Sequence, residues 1–457
     1  MTSETARQWV HIGSGIFALL LRYLTWWQAA GLAVAALVFN AFVLPRIGGR
    51  RLYRPLDEAR GFPLGILLYP LSVIILIVAF PDRPDMAAAG WGILAVGDGA
   101  ATLAGRAAAR SGPGALNGRP DRVSAQRLPW NPDKTVAGTT AFFVFGALAG
   151  AALACWTRPA VTPAPPLLFS LAAPVAAAAA AALVETIPVR LDDNISVPLV
   201  AAAVLWLTSL IALDAAAASR HAVVRYLPWA IGVNAVVALL GYRARTVSRS
   251  GLIGGAVIGI VIFATGGVSA WALLFATFFL AAAASRIGLE RKALLGIAEE
   301  RGGRRGAGNA IANCGVAAIA AIAAVVTPHP APAWIAFAAA LTAGGSDTVA
   351  SEIGKAWGRA TFLVTTLGRV RPGTPGAMSL EGTAAGLVAA FGLAALASRL
   401  GLIPAGAIFT IVIAATVGAL VESALAATLE APGVLNNDML NFINTGVAAV
   451  TALAIAS

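Results

Sequence analysis

The sequence predicts an all-α, polytopic integral membrane protein with about fifteen transmembrane helices in two related halves. Three observations carry this. Hydrophobic residues make up 59% of the 457-residue chain and charged residues only 12%, with a mean hydropathy of +0.81, far outside the soluble norm. Apolar stretches of helical length recur along the chain, and in hydrocarbon each must close its own backbone hydrogen bonds, as a helix does. The alternating segments of an outer-membrane barrel are not seen. One polar pattern then occurs twice, once in each half.

In order, the first span (10–24) follows a polar start and contains His11; with no good cleavage site after it, it is expected to stay as an anchor. The second (28–45) ends at Pro45–Arg46, and the third (62–80) stops at PDRPD. An Ala-rich fourth (87–103) runs through Gly-Asp-Gly. Spans 137–156 and 167–188 are separated by a Pro-rich connector, and 197–213 and 223–241 complete the half. The second half offers 251–266, 268–284, 309–326, 332–345, 382–398, 403–426 and 440–456. The arginine-rich YRARTVSRS at 242–250 separates a domain at 1–242 from one at 250–457.

Charge agrees with this map. With the amino terminus inside, 26 of the 32 Lys and Arg fall in loops on one side, leaving Arg22, Arg83, Arg158, Arg220, Arg225 and Arg399 elsewhere. The net charge of +11 therefore reflects topology and anionic-lipid contact and needs no nucleic acid. An inner-membrane, multi-pass protein with its sites facing the cytoplasm is expected. The Gly/Pro-rich segment 111–132 reads as a cytoplasmic loop, and 286–308 as a short amphipathic helix on the membrane surface. Trp26, Trp27 and Trp91 read as interface belt residues, PDRPD and TPHPAP as plain connectors, and Cys155 and Cys314 as buried thiols.

The repeated pattern is VGDGAATLAGR (96–106), DKTVAGT (133–139) and LVETIPVRLDDNISVP (183–198), then GGSDTVASEIGKAWGR (344–359), MSLEGTAAG (378–386) and LVESALAATLEAPGVLNNDMLNF (420–442). Acids and amides in greasy surroundings are functional-site candidates by default. In the first copy, Asp98 offers a hard oxygen for Mg2+, with Gly97 and Gly99 allowing close backbone approach. Lys134 and Arg106 would neutralise phosphate oxygens, and Thr135, Gly138 and Thr139 at a helix start would supply a hydroxyl and amides. Glu185, Asp192, Asp193 and Asn194 would complete a metal cage or hold an attacking hydroxyl. Phosphoryl transfer needs little more than such positioning and charge neutralisation.

In the second copy, Asp347, Glu352 and Glu381 are the candidate catalytic acids. Lys355, Arg371, Ser379, Gly382 and Asn437 are candidates for binding the nucleotide, and Glu422 and Asp438 for joining Asp347 on a metal. His11 reads as an interfacial side chain. There is no GxxxxGK[ST], HExxH or CxxC pattern, and three histidines exclude a His-rich metal site.

On these residues the first half resembles the polyprenol kinase family that includes phytol kinase and dolichol kinase. The resemblance rests on Arg7 and His11 as RxxxH, GDGxAxxxGR at 97–106, KTxAGT at 134–139 and ExxPxxxDDNxxxP at 185–198, over roughly 1–240. The segment 111–132 is longer than that family leads one to expect. The second half resembles the membrane family that includes phytyl-phosphate kinase, through SRIGLERK (285–292), RRGAGNAIANCG (304–315), SDTVASEIG (346–354) and RPGTPGAMSLEGTAAG (371–386). Val349 departs from that pattern. The SDT and SxEGT elements also resemble CTP-using phosphatidate cytidylyltransferases. Together these resemblances imply a fusion: a CTP- and Mg2+-dependent kinase that phosphorylates an isoprenoid alcohol in one half and its monophosphate in the other. The alternatives are a cytidylyltransferase making a CDP-lipid and, from another class, a membrane transporter.

Overall fold

The computed structural model describes residues 3–47, 64–110, 126–188, 191–294, 296 and 305–456. Most of the expected loop at 111–132, the basic turn after Leu294, Arg190 and the basic stretch from Arg50 to Arg60 lie outside these residues. The chain divides into two compact units, Met1–Ser209 and Leu210–Ser457. The arginine-rich break at 242–250 is present as a short turn, but the long helices on both its sides belong to the second unit, so packing divides the chain at Ser209 rather than at Tyr242.

In the first unit, α1 (Ser3–Ser14) continues as a 3-10 helix, Gly15–Arg22. After a turn whose Thr25 N–H donates to Gln28 Oε1 at 3.0 Å, α2 (Trp26–Val38) begins and ends in a π segment, Phe39–Val43. Next comes α3 (Leu64–Ala79). Pro84, whose missing N–H costs nothing at a helix start, opens α4 (Pro84–Gly92). This helix runs without a break through a π segment, Ile93–Asp98, into α5 (Gly99–Arg110). A two-stranded antiparallel hairpin, β1 (Arg127–Leu128) and β2 (Asn131–Thr135), leads into α6 (Val136–Thr157), followed by α7 (Leu167–Glu185) and α8 (Asp193–Ser209). The core is Ala-rich: Ala88, Ala89, Ala177, Ala178 and Ala181 are sealed against Ile93, Leu94 and Phe142. Small side chains let helices approach where lipid supplies no hydrophobic drive between them.

The second unit holds α9 (Leu213–Arg243) and α10 (Arg249–Arg286). Gly267, at φ 62° and ψ −157°, breaks α10 into the two spans expected from the sequence. Then follow α11 (Leu289–Leu294), α12 (Ala307–Val326), α13 (Pro330–Trp357), the antiparallel pair β3 (Thr361–Leu363) and β4 (Ala377–Ser379), α14 (Leu380–Arg399), α15 (Ile408–Leu425) with its π continuation Ala426–Glu430, and α16 (Asn437–Ala456).

The protein is an all-α polytopic membrane protein. Among the described residues, ten helices are long and apolar enough to span a bilayer, fewer than the fifteen expected. The difference is physical. Two expected spans share α10, Leu64–Ala79 and Asp193–Ser209 are shorter apolar helices, and the first span is divided between α1 and a 3-10 turn. One more lies on α13, which carries Asp347, Glu352 and Lys355 in its later turns.

Candidate active site

The segment α5–hairpin–α6–α7–α8 recurs in the second unit as α13–hairpin–α14–α15–α16, with one seam kept in register. Thr135 caps α6, its Oγ1 accepting from Gly138 N–H at 3.1 Å, and Ser379 caps α14 in the same way from Gly382 at 3.0 Å. A Cβ on Gly138 would stand 3.0 Å from Ala101 O, and one on Gly382 would stand 2.4 Å from Ala350 O. Gly105 and Gly354 face those caps across the seam. Asp98 precedes Ala101 by three residues and Gly105 by seven, and Asp347 has the same offsets to Ala350 and Gly354. The duplication expected from sequence is thus visible as steric register.

Around Asp98 the first unit gathers its charges. Asp98 ends the π segment, a geometry often found at functional positions. Carboxylate oxygens of Asp98, Glu185 and Asp193 all lie within 4.8 Å of one another. Lys134 Nζ donates to Glu185 Oε1 at 2.5 Å and to Asp193 Oδ2 at 3.1 Å. Burial pulls the Lys134 ammonium down, but the charges of Asp193 and Glu185 outweigh it and hold its pKa above the ordinary value. The hairpin fixes this lysine: Trp130 Nε1 donates to Thr186 Oγ1 at 3.1 Å and Asn131 Nδ2 to Thr186 O at 3.0 Å, docking the strand on the end of α7 beside Glu185. His11 Nε2 sits 3.5 Å from Asp98 Oδ2 and 3.3 Å from Leu94 O.

Two cavities flank this cluster. One, about 340 Å³, is polar and lined by Arg106, Arg127, Lys134, Thr139 and Glu185 at the start of α6. Arg106 Nη1 and Thr139 Oγ1 are buried there without a hydrogen-bond partner among the described residues. Unmet cationic and hydroxyl groups at a helix N-terminus suit a phosphate chain. The other, about 610 Å³, is mostly apolar and reaches His11 and Asn194. Three hard carboxylates at the junction fit Mg2+, which takes oxygen ligands and shares them with phosphate.

Several expected roles change on this geometry. Gly97 and Gly99 lie in helical backbone and face neighbouring helices: Cβ atoms there would meet the Phe142 ring at 3.2 Å and Ile12 Cγ1 at 2.3 Å. They permit packing, not phosphate approach. Asp192 stands outside the three-carboxylate group and caps α8, its Oδ1 accepting from Asn194 N at 3.0 Å and Nδ2 at 2.8 Å. Asn194 points to the apolar cavity. His11, read from sequence as interfacial, stands against Asp98.

In the second unit, Asp347 and Glu422 are hydrogen-bonded carboxyls, with Lys355 and Glu430 within charge range of Glu422. Such a pair needs a shared proton or a cation between its oxygens. The hairpin again docks beside the acid: a Cβ on Gly376 would stand 2.4 Å from Ser423 O. Glu352 lies elsewhere on α13, paired with the buried Lys292 and 3.4 Å from Lys355 Nζ. Lys292 also donates to Ser285 O at 2.7 Å, which anchors α11 to the end of α10, while Leu289 and Leu294 on the same short helix stay exposed. Glu381 Oε1 accepts from Arg359 N–H at 3.2 Å and closes the hairpin. Asp438 lies against Gly308, where Asp192 and Asn194 meet Gly65 in the first unit. Asn437 is exposed at the start of α16 and Arg371 is exposed on the hairpin loop. Cys155 and Cys314 are free and partly buried.

The family match lies in the second half. The family model "Integral membrane protein DUF92" matches residues 232–449. "Uncharacterized membrane protein sll0875" of Synechocystis sp. is 41% identical over 202 residues, 44% of this chain and 78% of that protein. "Protein VTE6, chloroplastic" of Arabidopsis thaliana is 34% identical over 233 residues, 49% of this chain and 70% of that protein. "Uncharacterized membrane protein MJ0933" of Methanocaldococcus jannaschii is 32% identical over 224 residues, 48% of this chain and 90% of that protein. No solved structure matches the chain.

Proposed function

The chain belongs to the integral membrane protein family DUF92, and from that footing we propose that it is an isoprenoid kinase of the phytyl-phosphate kinase type, with a phosphoryl-transfer site in each unit. In this reading the first unit makes an isoprenyl monophosphate from the alcohol, and the second converts the monophosphate to the diphosphate. CTP is the donor, and both sites face the cytoplasm. The observation that carries the reading is the junction of Asp98, Glu185, Asp193 and Lys134 with a cavity holding Arg106 and Thr139 groups that have no hydrogen-bond partner among the described residues. The reading of the first unit rests on its residues and geometry, since the family match lies in the second half.

Arg106, Lys134 and the α6 N-terminus hold the donor phosphates. Asp98, Glu185 and Asp193 would hold Mg2+, which supplies neutralisation of phosphate charge when bound. The alcohol oxygen bonds to the terminal phosphorus while the bridging P–O bond breaks. The nucleoside diphosphate departs, and the alcohol proton passes to a carboxylate of the cluster. In the second unit Asp347 and Glu422 take the metal-holding part, Lys355 stands for Arg106, and Ser379–Gly382 for Thr135–Gly138.

The test is purified protein with Mg2+, γ-labelled CTP and geranylgeraniol, resolved by phosphate number. Asp98→Asn should abolish monophosphate formation and leave conversion of supplied monophosphate intact, and Asp347→Asn should do the reverse. Equal loss of both steps in each variant refutes the two-site reading. A CDP-lipid from α-labelled CTP instead reassigns the second unit to cytidylyl transfer.

A further inference from the structure

We propose that the apolar cavity of the first unit is the site of the acceptor's hydrocarbon chain, entered with the hydroxyl at Asn194 and the chain tail at Ala29 and Ile77. This rests on the reading of that unit as an alcohol kinase and adds where the acceptor lies and what limits its length.

The cavity has a direction that three helices agree on. Along α1, its 3-10 continuation and the turn after it the lining runs from Arg7 to Leu24, roughly 30 Å at helical rises. Along α3 it runs from Gly65 and Tyr69 to Ile77. Along α2, which turns back at Thr25, the order is reversed, with Ala29 at the far end and Asn40 at the near one. All the polar lining groups therefore collect at one end, beside Asp98, and the rest is hydrocarbon. At about 610 Å³ the cavity is within the range of about 300–1,000 Å³ typical of small-molecule sites.

One buried polar atom marks the near end. Asn194 is 6% exposed, lines the cavity, and its Oδ1 has no hydrogen-bond partner among the described residues, while its Nδ2 is held by Asp192. An unpaired carbonyl in such a place is costly unless a donor arrives. An alcohol O–H supplies that donor, one residue away from Asp193 of the carboxylate cluster. Phe17 and Leu32, 58% and 55% exposed, line the same cavity, so it opens sideways through an apolar rim. A lipid in a leaflet can enter there without crossing water. At the far end Ala29 and Ala33 line the cavity from α2, small and buried, so a larger side chain there takes up chain space.

The experiment measures kcat/KM for geraniol and geranylgeraniol in wild type and in Ala29→Phe. Filling the far end should lower the long-to-short ratio by roughly 5–150-fold, the range expected of overpacking at one contact. An unchanged ratio, or equal loss with both alcohols, overturns the assignment. Independently of turnover, wild-type protein is photolysed with geranylgeraniol carrying a diazirine at its tail carbon and no nucleotide. Adducts at Ala29, Ile77 or their immediate neighbours support the proposal, and adducts elsewhere or none refute it. If neither alcohol is phosphorylated but the adducts fall at the far end, the kinase reading fails and the chain site stands.

Discussion

Lys292→Met is expected to cost far more stability than a single surface lysine would, because its partner cannot follow it into water. Lys292 and Glu352 are almost wholly buried, with side chains 1% and 3% exposed. At an effective dielectric of about 20, unit charges about 3 Å apart attract by about 5–6 kcal/mol, a gain that burial of both ions largely offsets. Removing the lysine leaves the burial cost of Glu352 and takes away the attraction. The remaining partner, Lys355, is 3.4 Å away and 28% exposed, so it compensates only in part. Loss of one member of a buried pair costs about 3–5 kcal/mol, which corresponds to a fall in Tm of roughly 6–20 °C for a unit of this size. The assay is thermal unfolding in detergent of wild type, Lys292→Met and the double variant Lys292→Met/Glu352→Gln. The double variant should recover most of the loss, since no charge is stranded, and should keep conversion of monophosphate to diphosphate. A single variant within about 1 kcal/mol of wild type would refute the burial reasoning. A folded double variant without second-step activity would return Glu352 to the catalytic acids.

Two further expectations follow from the same geometry. Arg106→Leu removes a charged donor from the polar cavity, worth about 1.5–3 kcal/mol, so the apparent KM for the nucleotide in the first step should rise about 10–150-fold, read by initial rates at varied CTP. Gly382→Ala should lower Tm more than Gly138→Ala, because its Cβ would stand 2.4 Å from Ala350 O against 3.0 Å from Ala101 O; overpacking of this kind costs about 1–3 kcal/mol.

The helices were legible because lipid forces each apolar stretch to satisfy its own backbone, and every expected stretch falls on helical backbone within the described residues. Asp98, Lys134, Glu185 and Asp193 were legible as a set because each is a charge in a greasy context and the pattern repeats. Their separation into roles was not. Asp192 and Asp193 are neighbours in sequence, yet the start of α8 sends one into the helix cap and the other toward Lys134. Gly97 and Gly99 read as openings for close approach of a ligand to the backbone, whereas in continuous α and π backbone they meet neighbouring helices instead. The contacts of His11 and Lys292 were not legible for a common reason: their partners, Asp98 and Glu352, lie far along the chain, and no local spacing links the pairs. The small-residue spacing Asp-x-x-Ala-x-x-x-Gly in both halves was the available signal for the shared register.

That seam has a consequence for how such a chain can change. Gly105 against Gly138, and Gly354 against Gly382, set the gap between two helices by close contact of backbone and the capping hydroxyl. The stretch joining the paired helices therefore has no part in gauging how far the acid stands from the cap. It differs in length between the halves, 40 residues from Asp98 to Gly138 against 35 from Asp347 to Gly382, while the seam does not shift. Insertions there are neutral for the acid-to-cap distance, whereas a single residue added between Asp98 and Gly105 would turn the carboxylate about 100° away from its companions. The two halves have thus been free to diverge in what they grip while sharing one fixed ruler for where the grip lies.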